Sequence, residues 1–265
     1  MTNLCTSLFV ASQPVIGMLH CPPLPGAPRN TQSIGDIIDF VMRDAATLVE
    51  GKVHGLMLEN FGDTPFFPGR VPAHTVAHLT AVACEVRRRF DLPLGINVLR
   101  NDGCSALAVA QAVGARFIRV NVLCGARVTD QGILQGIAHE LLRAPGRKGI
   151  AIFADVNVKH SAPVAPIPLE QEVHDLIQRG GADAVIVSGT GTGVATDIEH
   201  VKQVKQAATS GGETPVFIGS GITPENIATY RPHCDGFIVG SSLKRGNIDT
   251  PIDAKRVGAL MQGVR

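Results

Sequence analysis

The residues best suited to chemistry lie on a predicted strand over residues 149–158. Its even-numbered residues are all apolar, whereas Asp155 and Asn157 lie on the odd-numbered face, which continues to Lys159. Because side chains alternate with period two along a strand, the polar face should point into a barrel whose outer face packs on helices. A carboxylate and an amine at the barrel mouth could act as base and acid on an enolisable or glycosidic phosphosugar. Lys159 could also form a Schiff base, and the sequence does not select between these roles.

The same alternation on neighbouring predicted strands brings further polar side chains inward. Arg119 and Asn121 share the inward face of one strand. Asn97 lies on the inward face of another, and Glu59 follows a third. A buried guanidinium is unfavourable without a carboxylate, so Arg119 should form a structural pair with Glu59 or Asp155, leaving the other carboxylate for catalysis. The candidate catalytic residues are Asp155, Lys159, Glu59, Asn97, Arg119, Asn121 and His160, with His20 at the rim.

Two turns of small residues, 219–221 and 240–242, directly follow apolar predicted strands. Glycine has no Cβ, so backbone N–H groups in such turns can approach an anion closely. In barrels of eight parallel strands, the loops after the seventh and eighth strands commonly bind phosphate. One such turn would more often only close a tight corner, but two in succession favour a phosphate site. The predicted phosphate-binding residues are Gly219, Ser220, Gly221, Gly240, Ser241 and Ser242.

A third glycine-rich segment, residues 188–193, follows the predicted strand over residues 183–188. It lacks the lysine of a Walker motif and is not a GxGxxG turn after a first strand, so neither nucleoside triphosphate nor dinucleotide binding is indicated. We interpret it as a substrate loop. Its candidate contact residues are Ser188, Thr190, Thr192 and Gly193.

Eight predicted strands, with segments between them that can be helical, position these residues. The strands cover residues 15–19, 53–58, 92–98, 116–122, 149–158, 183–188, 215–218 and 236–239. This alternation indicates an α/β protein with a (β/α)8 TIM barrel rather than an open doubly wound sheet, as one domain over residues 1–265. Ser33 and Asp36 are predicted to form a capping box, and Thr129 and Thr196 are expected to cap later helices. Residues 1–13 should cover the bottom of the barrel. The last helix should span residues 252–261.

Composition excludes several classes of protein. The chain has 265 residues, 24 basic and 23 acidic, so it carries no overall charge that would favour nucleic acid or an anionic membrane. The six cysteines lack paired spacing, and no signal peptide or membrane-length apolar run is recognised, so we expect reduced thiols and a cytoplasmic location.

His74 and His78 are spaced for metal but have no acidic partner, so we predict neither a metal site nor a cofactor. A proline-bounded loop containing Phe61, Phe66 and Phe67 suggests a lid or partner surface, or packing on the barrel rim.

Several motifs together resemble the BtpA family over nearly the whole chain. They are VIGMLH (15–20), LPGAP (24–28), GINVLRND (95–102), FIRVN (117–121), DVNVKH (155–160), VIVSG (185–189) with Thr192 and Gly193, and IGSG (218–221). The resemblance implies a phosphate-binding barrel of the ribulose-phosphate-binding type. The family's name comes from a protein with a role in photosystem I biogenesis, and the resemblance carries no reaction with it.

Two functions therefore stay open at the level of sequence. One is an enzyme, such as a lyase, isomerase or hydrolase, that acts on a phosphorylated sugar, nucleoside or related small metabolite. The other is a non-catalytic assembly factor for photosystem I. The inward charged cluster favours the enzyme, whereas the proline- and phenylalanine-rich loops are what an assembly factor would use. The expected ligand is a small phosphorylated metabolite, and a homo-oligomer is compatible with the sequence.

Overall fold

A ring of eight parallel strands dominates the computed structural model, which describes residues 4–189, 191, 194–210, 212–247 and 249–264. The strands within these residues are β1 (Val15–His20), β2 (Gly55–Glu59), β3 (Leu94–Asn97), β4 (Phe117–Val120), β5 (Ala126–Thr129), β6 (Gly132–Gln135), β7 (Ala151–Val156), β8 (Ser161–Pro163), β9 (Ala184–Val187), β10 (Val216–Ile218) and β11 (Gly236–Val239). The closed order β1-β11-β10-β9-β7-β4-β3-β2 confirms the predicted TIM barrel.

Helices connect the barrel strands and cover their outer face. Those in the described residues are α1 (Leu4–Phe9), α2 (Ile34–Glu50), α3 (Ala73–Arg89), α4 (Gly103–Val113), α5 (Ala138–Leu141), α6 (Leu169–His174), α7 (Ile198–Ser210), α8 (Ile227–Tyr230) and α9 (Ala254–Val264). The predicted capping box opens α2: the Ser33 hydroxyl accepts from the Asp36 N–H at 3.2 Å, and the Asp36 carboxylate accepts from the Ser33 N–H at 3.1 Å.

Aromatic side chains fill the lower half of the barrel interior. The Phe117 and Phe153 ring centroids lie 4.8 Å apart, and Phe217 lies 4.9 Å from Phe153. Phe9 of α1 closes this cluster from below, with its ring 5.5 Å from that of Phe117, so α1 covers the barrel bottom as the sequence predicts. Because described side chains fill this end, we expect ligands to enter at the opposite, C-terminal end of the strands.

The segment between β4 and β7 departs from the prediction of a helix capped by Thr129. Thr129 is the last residue of β5, and β5 forms an antiparallel hairpin with β6 in register Thr129↔Gly132. Gly125 and Gly132 take left-handed φ values of 71° and 97°, which glycine adopts without strain and which suit a turn rather than a helix. The later strand β8 pairs with the free edge of β5, which makes a small second sheet in the order β6-β5-β8 beside the barrel mouth.

Thr196 is also not a helix cap. The Asp197 carboxylate accepts the Glu199 N–H at 3.1 Å and so caps α7, while the Thr196 hydroxyl donates to the Ser188 carbonyl at 3.4 Å. Aspartate at this position satisfies an N–H that has no acceptor within the helix. The Thr196 hydrogen bond instead connects the residue before the α7 cap to the residue that follows β9.

Candidate active site

A cavity of about 650 Å³ opens at the C-terminal end of the barrel strands. Its floor and walls come from the strand ends and the loops that follow them, as expected for a barrel with a filled interior. Among the described residues, those with polar or charged side chains in its wall are His20, Glu59, Thr64, Arg100, Arg119, Asn121, Asp130, Lys159, His160, Ser220, Thr223, Ser241, Ser242 and Arg256. The site is therefore polar and contains more cationic than acidic side chains.

Arg119 and Asp155 form a bidentate ion pair beneath this cavity. Arg119 Nη2 and Nε donate to the two Asp155 carboxylate oxygens at 2.7 Å and 3.0 Å, and Asn121 Nδ2 donates to the same carboxylate at 2.7 Å. Burial acts to lower the pKa of Arg119, but the charge of Asp155 and its hydrogen bond raise it above the ordinary value. The Asp155 side chain is fully buried and does not line the cavity. The sequence predicted either Glu59 or Asp155 as the partner of Arg119, and the structure shows that the partner is Asp155.

Glu59 is the carboxylate that faces the cavity. It ends β2 in one row with His20, Asn97 and Arg119, because these residues lie in register on four neighbouring strands. Asn97 Nδ2 donates to Glu59 Oε2 at 2.5 Å, and His20 Nε2 lies 3.8 Å from Glu59 Oε1. These contacts orient the carboxylate and leave it at the wall of the cavity.

His20 is held neutral in this row. Burial, followed by the nearby charges of Lys244, Lys159 and Arg119, lowers the pKa of its imidazole from 6.5 to about 3. The unfolded chain therefore binds a proton at this residue between pH 6.5 and about 3, while the folded chain does not. It follows that His20 contributes stability above pH 6.5 that is lost as the pH falls.

Replacing His20 with glutamine should make the protein less sensitive to acid. Between pH 6.5 and about pH 4, the free energy of unfolding of His20→Gln should fall by on the order of 3 kcal/mol less than that of the unmodified protein. Urea denaturation at a series of pH values measures this difference. His139→Gln, whose imidazole is exposed, serves as the control and should keep the original slope. Identical slopes for His20→Gln and the unmodified protein would contradict a neutral buried His20.

Lys159 reaches the cavity because the chain turns sharply after β7. Asn157 and His160 take left-handed φ values of 46° and 56°, so the strand ends at Val156 rather than at residue 158. Arg100 Nη2 donates to the Lys159 carbonyl at 2.6 Å and fixes the turn from the opposite side. Burial, then Arg119, lowers the pKa of the Lys159 amine to about 8. Lys159 and its neighbour His160 both line the cavity.

Asn157 does not point into the barrel, contrary to the alternation expected for an extended strand. Its side chain is exposed, and its Oδ1 accepts a hydrogen bond from Arg127 Nη2 at 2.5 Å. Its backbone N–H donates to Glu172 Oε1 at 2.8 Å. The small sheet thus holds the turn that carries Lys159, a function of the hairpin that the strand pattern alone did not predict.

All six predicted phosphate-binding residues line the cavity. The two turns are joined by a hydrogen bond from Ser242 Oγ to the Ile222 carbonyl at 2.6 Å. Gly221 has φ +72°, and a Cβ there would lie 2.3 Å from Ala195 Cα, so this position requires glycine. The second turn continues into a short 3-10 helix, Ser241–Leu243, whose first N–H groups have no acceptor within the helix.

The predicted substrate loop is only partly represented. Thr190, Thr192 and Gly193 lie outside the described residues. Ser188 is buried at the end of β9 and does not line the cavity. Nearby, the Ser220 hydroxyl accepts the Gly189 N–H at 3.0 Å, which connects the start of this loop to the turn over residues 219–221.

Sequence reasoning missed two arginines of the cavity. Arg100 follows β3 and is buried, and Arg256 projects from the first turn of α9 and donates to the Ser242 carbonyl at 3.0 Å. Arg100 stands within the GINVLRND motif, but no periodicity directs it inward. Phe61 and Phe66 of the phenylalanine loop also line the cavity, and the Phe61 ring contacts His20 at 4.9 Å, so packing at the rim is what the structure shows for them.

Two further sequence expectations concern metal and membranes. The His74 and His78 rings lie 6.4 Å apart on α3, and no group of three or more potential ligand side chains is gathered for a metal ion in the described chain. No helix within the described ranges is long and apolar enough to cross a membrane.

Comparison with known proteins identifies the family. The sequence profile of the BtpA family matches residues 11–265. The photosystem I biogenesis protein BtpA of Synechocystis sp. is 44% identical over 259 residues, covering 97% of this chain and 89% of that protein. A Thermococcus kodakarensis protein is 43% identical over 253 residues, with 94% of each chain covered. A Mycobacterium tuberculosis tryptophan synthase structure shares the fold at 15% identity, with a TM-score of 0.67 over 100% of this chain and 99% of that one. The chain belongs to the BtpA family.

Proposed function

We propose that this protein is an enzyme that acts on a small phosphorylated metabolite, a phosphosugar or nucleoside-like compound, bound at the C-terminal mouth of the barrel. The observation that carries the proposal is that one cavity contains both glycine–serine turns and the side chains of Glu59 and Lys159. An anion-binding wall and a potential acid–base pair within one cavity of about 650 Å³ suit a small substrate with a phosphate at one end.

The charges around the cavity support an anionic ligand. Among the described residues that line it, Arg100, Arg119, Lys159 and Arg256 are cationic, and Glu59 and Asp130 are acidic. Since Asp155 already compensates Arg119, the guanidinium groups of Arg100 and Arg256 are available to a phosphate.

Unsatisfied polar atoms in the cavity-lining residues indicate what else the ligand carries. Arg100 Nε and Asn121 Oδ1 are buried and have no hydrogen-bond partner in the described part of the chain. Buried donors and acceptors are unfavourable when unpaired, so a ligand that accepts from the guanidinium and donates to the amide would stabilise both. A phosphate together with hydroxyl groups fits this requirement, which supports a phosphosugar-like compound.

In the proposed reaction, Glu59 exchanges protons with the substrate. Asn97 donates a hydrogen bond that orients the Glu59 carboxylate, while His20 is neutral and adds no positive charge beside it. Lys159 supplies an ammonium or an amine at the same cavity. Arg119 and Asp155 form the rigid base beneath them, so their role is to position Asn121 and the strand ends rather than to react. A lyase, isomerase or hydrolase could use this arrangement.

The phosphate site is tested by placing a negative charge in the second turn. Inorganic phosphate at about 100 times its Kd should stabilise the unmodified protein by about 2.7 kcal/mol. Ser241→Asp should lose most of this stabilisation because its carboxylate would repel the dianion across a few ångströms. Ser241→Asn has nearly the same shape without the charge and should keep it. Thermal denaturation with and without phosphate, then with a library of phosphorylated sugars and nucleotides, gives the measurement.

Equal phosphate stabilisation of Ser241→Asp and Ser241→Asn would refute this location of the anion. Gly221 is unsuitable for the test, because its left-handed φ and the close approach of Ala195 would make any side chain disrupt the fold. The Ser241 side chain is partly exposed and therefore avoids that complication.

A non-catalytic assembly factor is the second candidate, because the small sheet beside the mouth exposes apolar side chains. Val128 is 48% exposed on β5, Ile133 is 61% exposed on β6, and Val164, just after β8, is 56% exposed. Such a patch suits contact with another protein. The Synechocystis relative is named as a photosystem I biogenesis protein, which agrees with this alternative. A protein whose only role is assembly would not need Glu59 and Lys159 at one cavity.

A further inference from the structure

Lys159 is partly buried and, unlike the fully buried Lys244, has no ion-pair partner for its amine among the described residues. Within the described part of the chain, no carboxylate forms an ion pair with Lys159 Nζ and no oxygen accepts a hydrogen bond from it. Lys244, by contrast, donates to Asp44 at 3.0 Å and to the Thr250 carbonyl at 2.7 Å. Lys244 is therefore a structural cation, whereas Lys159 presents its amine to the cavity.

The surroundings of Lys159 increase the neutral fraction of its amine. The charged and titratable groups facing it are Arg119, Glu59, Asp155, Arg100, His20 and His160. Burial is the largest effect and Arg119 the next, and together they outweigh the carboxylates and lower the pKa of the amine to about 8. A lysine with this pKa has a substantial neutral fraction near neutral pH, which a nucleophile requires and a pure phosphate ligand does not.

The backbone from which the Lys159 side chain projects is held in place by its neighbours. Left-handed conformations at Asn157 and His160 bracket the residue, and Arg100 donates to its carbonyl. Non-glycine residues in this conformation are uncommon and concentrate where the surrounding structure holds a functional group in place. Arg127 of the small sheet and Glu172 of α6 both hold the same turn through hydrogen bonds to Asn157.

We infer that Lys159 is a nucleophile that forms an imine with the carbonyl carbon of a phosphorylated aldehyde or ketone. This inference rests on the proposed function and narrows its substrate class to carbonyl compounds, including open-chain sugar phosphates. The phosphate would lie at the turns after β10 and β11. Lys159 follows β7, and β9 lies between β7 and β10 in the barrel. The carbonyl group would therefore lie near the end of β7, two strands away from the turn that follows β10.

The step balances with the residues of the site. The neutral Nζ adds to the carbonyl carbon while the C=O π electrons move to oxygen, and one proton passes from nitrogen to that oxygen to give a carbinolamine. The Glu59 carboxylate takes up the proton that the Lys159 ammonium loses when it becomes neutral. Glu59 then gives this proton to the carbinolamine hydroxyl, which leaves as water as the nitrogen lone pair forms the C=N bond. Overall, the carbonyl compound, the neutral amine and one proton react to give a protonated imine and one water molecule. The ionised Glu59 can next remove a proton from the adjacent carbon, whose electrons the iminium accepts.

Borohydride trapping tests this inference. The protein is incubated with dihydroxyacetone phosphate, ribulose 5-phosphate or ribose 5-phosphate and sodium borohydride, which reduces an imine to a stable secondary amine. Peptide mass spectrometry should find the adduct on Lys159 at least about ten times faster than on exposed Lys148 or Lys255, since only Lys159 has a phosphate site beside a desolvated amine. Trapping should increase as the pH rises through about 8.

Variants separate this role from a structural one. Lys159→Arg keeps the charge and Lys159→Met keeps the volume, and neither should form the adduct, although both should still be stabilised by inorganic phosphate. Ser241→Asp should lower trapping by the phosphorylated probes relative to Ser241→Asn. If phosphate stabilises the protein but no probe labels Lys159 above the exposed lysines, the imine is wrong and the phosphate site stands. If neither phosphate nor any probe stabilises the protein, the proposed function itself fails.

Discussion

Replacing Arg119 with methionine should lower the free energy of unfolding by about 3–5 kcal/mol. The variant would leave the Asp155 carboxylate fully buried with the Asn121 amide as its one side-chain donor among the described residues, because the other two hydrogen bonds to that carboxylate come from Arg119. An uncompensated buried charge is among the most destabilising changes a core can suffer. Urea denaturation at neutral pH, analysed as a two-state transition, measures the loss.

Two comparison variants make this result specific. Arg70 pairs with Glu140 on the surface with its side chain 71% exposed, so Arg70→Met should change stability by less than about 1 kcal/mol. The double variant Arg119→Met with Asp155→Leu removes both charges and should recover much of the loss. Equal effects of Arg119→Met and Arg70→Met would show that the pair does not hold the barrel floor.

Replacing Glu59 with glutamine should slow turnover by about 10²–10⁴-fold while the protein stays folded. Glutamine has the same shape and can still accept from Asn97, but it cannot take up or release a proton. Turnover is measured on the phosphorylated compound that most raises the melting temperature, and phosphate stabilisation of the variant is measured alongside it. Retained binding with lost turnover would assign the proton transfer to Glu59.

The control for this variant is Glu225→Gln, which alters an exposed carboxylate near the turn over residues 219–221 that does not line the cavity. It should turn over substrate at nearly the original rate. A Glu59→Gln rate within about tenfold of the unmodified protein would remove Glu59 from the proposed chemistry, because general acid–base groups contribute more than that.

The barrel and the inward row of polar residues could be predicted because strand alternation is a local property. Period-two patterning directs Arg119 and Asn97 inward whatever the neighbouring strands do. It could not say whether Arg119 pairs with Glu59 or Asp155, since both carboxylates are directed inward. That choice depends on the register and depth of the strands, which place Glu59 beside Asn97 and leave Asp155 within reach of the Arg119 guanidinium.

The placement of Lys159 and of the missed arginines depends on contacts between distant parts of the chain. Extended alternation directs Asn157 inward and separates Asp155 from Lys159 by roughly 13 Å, but the left-handed turn after Val156 ends that alternation. The turn is held by Arg127 and Glu172, which lie far from it in sequence. Arg256 likewise reaches the cavity from α9, and the packing of that helix beside the turn over residues 240–242 directs it there.

Conversion of a small phosphorylated metabolite at the mouth of this barrel is the activity that we propose. The most direct measurement incubates the purified protein with a library of phosphorylated sugars, nucleosides and other phosphorylated metabolites and follows each compound by liquid chromatography and mass spectrometry. We expect that at least one phosphorylated compound is consumed, that its product accumulates at the same rate, and that Glu59→Gln abolishes most of the conversion. Binding of phosphorylated compounds at the mouth with no conversion of any of them would contradict it and would favour the assembly factor.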